Sequence, residues 1–157
     1  MAWLEAESIT QLVDVRSLPG SNKFPQFNQE RLKISLENYG IEYFYLKELG
    51  GRRKYNKQSH NTIWYNKSFR AYADYMETNE FDAGLQKLKN LATEKPTVVM
   101  CAEAVWWRCH RSMIADALKV EGWKVEHIMG LDKTTDHPFT KPAKIVGGKL
   151  IYGEEEQ

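Results

Sequence analysis

The chain has 157 residues, a formal net charge of +1 and an apolar fraction of 42%, which suits a single globular domain over residues 1–157 and excludes a whole-molecule field that would demand nucleic acid or a membrane surface. Its two cysteines cannot make a disulfide framework, and no apolar run approaches the length of a bilayer span. The expectation is a cytoplasmic protein with reduced thiols, no membrane partner and no secretory leader.

In chain order, residues 2–8 read as the tail of a helix and Leu12-Val13-Asp14-Val15-Arg16 as a buried strand with polar groups at its exit. Residues 17–26 carry Pro19, Gly20 and Pro25 and read as a loop. Asn28 is placed to cap a helix whose inner face is Leu32, Leu36 and Tyr39, with Gly40 as its stop. Ile41 to Leu46 reads as an aromatic-rich strand, followed by a glycine pair, Gly50-Gly51, and three cations, Arg52-Arg53-Lys54.

Residues 55–66 are polar and without period, a loop of functional length. Phe69, Tyr72, Ala73 and Met76 mark one amphipathic helix; Asn79 is placed to cap a second, with Phe81, Leu85, Leu88 and Ala92 inward. Pro96 precedes a buried strand, Thr97 to Met100, and Ile114, Ala117 and Leu118 give the next helix its stripe before Gly122. Trp123 to Met129 reads as another strand, and two short β patterns around Gly147-Gly148 read as a C-terminal β-hairpin. Alternating strands and helices predict an α/β fold: a three-layer, Rossmann-like domain with a mostly parallel sheet.

The connection from Met100 to Arg111 holds both cysteines, a histidine, a carboxylate and two arginines. In an open parallel sheet, ligands settle outside the carboxyl ends of strands, beside the first turn of the next helix. Cys109, flanked by Arg108, His110 and Arg111, has the setting that favours a thiolate, although a helix-start cysteine can equally pack as a small apolar group. Cys101 is read as a structural thiol facing the site, able to pair reversibly if it approaches Cys109. Glu103 and Asp14 suit proton transfer or a ribose hydroxyl, or else ion pairs with Arg16 and Arg111; His110 is a candidate base or a lock on the turn. Arg16, Arg111 and Arg52 suit an anionic group. No metal site is expected, because the cysteines and histidines lack paired zinc spacing.

Asp14-Val15-Arg16-Ser17 with Pro19, Gly40-Ile41 with Tyr43, Leu49-Gly50-Gly51, Cys101-Ala102-Glu103 with Cys109-His110-Arg111, and His127-Ile128 together resemble the DUF488 family over nearly the whole chain. The resemblance implies a Rossmann-type α/β domain and no settled activity or cofactor. Family members open with a strand ending in a Thr-Ile-Gly-His-Ser-like motif, whereas this chain begins inside the helix that follows. The expectation is a start set too far downstream; if that strand is absent, another chain can complete the sheet as an oligomer. A weaker likeness, to rhodanese-like domains, rests on Asp14-Val15-Arg16, Cys101 and Arg111-Ser112, but nine residues between Cys101 and Arg111 are too many for a tight anion cradle.

The leading expectation is a protein that binds a phosphate-bearing or nucleotide-like anion at the carboxyl edge of the sheet, with transfer or hydrolysis on that ligand as the candidate reactions. The alternatives are a non-catalytic nucleic-acid-binding module using Arg52 to Lys54, and sulfur or redox chemistry at Cys109.

Overall fold

The computed structural model describes residues 8–17, 28–101, 106–131 and 133–152. The expected helix over residues 2–8 and the loop over 18–26 lie almost wholly outside them, and so does Glu103. The described chain is α/β. Strand β1 (Gln11–Asp14) is flanked in parallel by β2 (Glu42–Tyr45) and β3 (Thr97–Met100), in the order β2-β1-β3. Leu12 pairs with Tyr43 and Val98, and Val13 with Phe44 and Val99.

The two-residue period of the strand sorts the core into two faces. Leu12 points to one side, where it packs with Leu32, Leu36 and Ile41. Helix α1 (Gln29–Asn38) covers that side; Asn28 accepts from the Glu30 N–H to cap it, and Gly40 leaves it at φ +73°. Val13 and Val15 point to the other side, against α2 (Lys67–Tyr75), α3 (Asn79–Glu94) and α4 (Arg111–Val120). Helices on both faces of a parallel sheet are what the near-continuous apolar run of β1 requires, since both its faces are dry.

The helix ends follow capping chemistry, with one change from the sequence reading. Thr78, not Asn79, caps α3 by accepting from the Phe81 N–H, and Asn79 is the first helical residue. Asn66 caps α2 through the N–H groups of Ser68 and Phe69. Gly122, at φ +91°, closes α4 while the Trp123 N–H returns to the Leu118 carbonyl.

The region after α4 departs further. Strand β4 (Glu126–Gly130) begins later than Trp123 and pairs antiparallel with β5 (Lys133–Asp136), a strand with no counterpart in the sequence reading; among the described residues it does not pair with β3. The hairpin β6 (Lys144–Val146) and β7 (Lys149–Ile151) forms as expected, with Gly147 and Gly148 both at positive φ.

One glycine is set by packing. Gly84 brings α3 onto the 3₁₀ turn Lys47–Leu49, where an added Cβ would stand 2.7 Å from Glu48 Cβ and 3.2 Å from Leu49 Cδ2. In an exposed helix Gly→Ala gains about 1 kcal/mol. At Gly84 the crowding outweighs that gain, so Gly84→Ala is expected to lower the urea midpoint; a raised midpoint would contradict the close docking of α3.

Candidate functional site

Two polar clusters stand out, one at the exit of β1 and one built on Asp116 in the middle of α4. In the first, Asp14 ends β1 wholly buried, and the chain turns so that Arg16 reaches back to it. The guanidinium grips the carboxylate in a fork, Nε to Oδ1 at 2.9 Å and Nη2 to Oδ2 at 2.7 Å, while the Arg16 N–H adds a bond to Oδ1 and the Tyr43 hydroxyl donates to Oδ2. Burial, then the hydrogen bond to the Asp14 carboxylate and its charge, drives the Tyr43 pKa upward and keeps it a donor. Asp14 is thereby engaged as an acceptor, and its evident work is to hold Arg16 at the sheet edge.

The glycine pair after β2 makes room for His110. A Cβ on Gly51 would lie 2.5 Å from His110 Nδ1, and the opposite side of the ring packs on Tyr72 with centroids 4.9 Å apart. Burial lowers the His110 pKa to about 4; the carbonyls of Val15 and Leu49 pull the other way, and the Arg111 and Arg53 charges lower it further. Cys101 and Cys109, both buried, bring their sulfur atoms into bonding contact, and the Arg111 N–H points to Cys109 Sγ at 3.4 Å. Arg53 lies over the Tyr75 ring and donates to the carbonyls of Gly50 and Lys47, whereas Arg52 is exposed.

The second cluster was not singled out from sequence. Asp116, on the inner face of α4 and fully buried, accepts from His137 Nε2, from the Thr140 N–H and hydroxyl, and from the Tyr152 hydroxyl. His137 Nδ1 stands 2.7 Å from Nε2 of His127, whose ring stacks parallel on Trp106 with centroids 4.3 Å apart. His127 is pushed down to about 4, by burial first and then by His137 and Arg111. Of the chain Asp116, His137 and His127, only His127 entered the sequence reading, within the family resemblance. The one signal for the rest was a carboxylate, Asp116, between the inward positions Ile114 and Ala117.

His127 and Arg111 both line a cavity of about 480 Å³ between the outer edge of β3, α4 and β4, with Trp106, Trp107 and Trp123 as its aromatic walls. That volume suits a small organic ligand. Arg111 thus stands between the clusters: it depresses His110 and His127 electrostatically and presents its side chain to the cavity. Elsewhere, His60, Asp74 and Glu77 place three ligand atoms within 4.8 Å of one another, with the exposed His60–Glu77 pair at 2.7 Å.

The family described as "Domain of unknown function DUF488" matches residues 1–118, from the amino end into α4. No curated protein and no solved structure matches the chain.

The two depressed histidines set a pH dependence. Unfolded, each titrates near 6.5; folded, near 4, so the unfolded chain binds more protons between those values. Stability is therefore full above pH 6.5 and is lost as pH falls toward 4. Urea midpoints should decline between pH 7 and pH 4.5, with a shallower decline in His110→Gln; equal slopes in the two proteins would rule out a buried, neutral His110.

Proposed function

The chain belongs to the DUF488 family, and on that footing we propose that it binds a small anionic ligand with a flat aromatic portion, of the phosphate-bearing or nucleotide-like kind. The observation that carries this reading is the placement of Arg111 beside three tryptophans in the wall of one cavity. A guanidinium offers a planar fork to phosphate or carboxylate, and indole rings offer stacking faces to a base. In this reading the ligand lies along the outer edge of β3 and reaches the first turn of the following helix, which Arg111 opens. Arg16, held by Asp14 at the exit of the central strand, is not among the residues that line this cavity.

A cytoplasmic setting belongs to the proposal; among the described residues no helix is long and apolar enough to cross a membrane. The nucleic-acid module draws less support, because Arg53 of the Arg52 to Lys54 run is engaged by its own loop. Sulfur or redox chemistry is the second reading, favoured by the approach of Cys101 to Cys109 beside the amino end of α4.

The test is a thermal-shift series with inorganic phosphate, nucleoside mono- and diphosphates and short oligonucleotides, on the native protein and on Arg111→Ala. A ligand that binds only the folded state raises its melting temperature; at one hundred times its Kd it adds about 2.7 kcal/mol. A nucleotide-induced rise is expected, lost in Arg111→Ala. Rises from oligonucleotides alone, abolished by salt and indifferent to the substitution, would move the assignment to the nucleic-acid module. A melting temperature that answers to reductant and to no phosphate compound would move it to the thiol pair.

A further inference from the structure

We infer that Asp116, His137 and His127 form a proton relay that makes Nδ1 of His127 a general base in the wall of the Arg111 cavity. The inference rests on the reading of that cavity as a ligand site and adds the chemistry done there: removal of a proton from a hydroxyl of the anionic ligand, or from a water beside it.

The hydrogen bonds fix the direction of the chain. Asp116 is met by a backbone N–H, two hydroxyls and an imidazole, so Nε2 of His137 is the protonated nitrogen that donates to it. In neutral His137, Nδ1 is then an acceptor, and the nitrogen 2.7 Å from it, Nε2 of His127, must carry the proton between them. That leaves the lone pair of His127 on Nδ1. Among the described residues Nδ1 makes no hydrogen bond, while the ring lines the cavity and is held on one face by Trp106.

The proton step balances within these three side chains. Nδ1 of His127 takes a proton from the ligand or water, breaking one O–H bond and forming one N–H bond. The Nε2 proton of His127 passes to Nδ1 of His137. His127 ends neutral with its proton on Nδ1, and the oxygen in the cavity ends as the anion. His137 ends as an imidazolium still bonded to Asp116, so the positive charge has left a buried ring facing Arg111 and come to rest against a carboxylate. His137 and Asp116 are positioning residues; His127 alone meets the ligand. A buried knot of polar groups that only braced α4 would not require a nitrogen left open to a cavity.

Diethyl pyrocarbonate tests the relay without any ligand, so its outcome is independent of the thermal-shift series. The rate at which His127 is carbethoxylated is followed by peptide mass spectrometry in the native protein, Asp116→Asn, His137→Gln and Thr140→Val, each checked by circular dichroism. The relay predicts that His127 reacts in the native protein and about tenfold more slowly in Asp116→Asn and His137→Gln, because without the chain Nδ1 is no longer held as the unprotonated nitrogen. Thr140→Val, which loses a bond to Asp116 but keeps the chain of rings, should react at the native rate. Should Asp116→Asn fail to fold, His137→Gln carries the comparison. An unreactive His127, equal rates in all four proteins, or faster reaction in the relay variants through simple loosening would each overturn the inference.

Discussion

A carboxylate with no exposed surface is held at Asp116 by four hydrogen bonds from three residues of the C-terminal segment. Burying such a group without partners costs several kcal/mol or more, so α4 and the segment that follows can reach this arrangement only together. The segment needs that anchor. Strand β5 is polar and exposed, β6 and β7 are three residues each, and the main inward-facing apolar anchor of the hairpin region is Tyr152, which lies edge-on against Trp64 while its hydroxyl reaches Asp116. One carboxylate thereby joins the helix after β3 to the last strands of the chain.

The same tie shapes the cavity. Drawing His137 onto Asp116 sets His127 beside it, and His127 in turn supports the Trp106 ring that follows the exit of β3. On the far side of Arg111 the packing is equally exacting: His110 fills the space that Gly51 leaves open, and Asp14 fixes Arg16 in a two-point grip. In both clusters the carboxylate is spent on its neighbours. Arg111 is the element they share, on the first turn of α4, and this gives the cavity a cation whose surroundings are set from two directions.

Much of the fold could be read from residue patterns, because its elements obey local rules. The apolar run of β1, the Asn28 cap, the stops at Gly40 and Gly122 and the turn at Gly147-Gly148 are each decided within a few residues. Strand β5 escaped notice since Lys133 to Asp136 has neither an apolar face nor a buried residue; its partner strand, not its composition, makes it a strand. For the strand-exit residues the sequence left alternatives that spacing along the chain could not decide: of the roles open to Asp14, the ion pair with Arg16 is the one formed, with Tyr43 added, and Cys101 does approach Cys109. The relay was invisible because residues 116, 127 and 137 lie on a helix, a strand and a loop, with no spacing that chemistry requires along the chain.

The most direct measurement of this account is the protonation of the imidazole nitrogens, read from nitrogen-15 chemical shifts of the labelled protein at neutral pH. A chain anchored on Asp116 predicts His127 and His137 both protonated at Nε2 and bare at Nδ1, with His127 holding that state down to near pH 4. Finding either ring protonated at Nδ1 while neutral, or His127 titrating near 6.5, would contradict the chain and the base it leaves in the cavity.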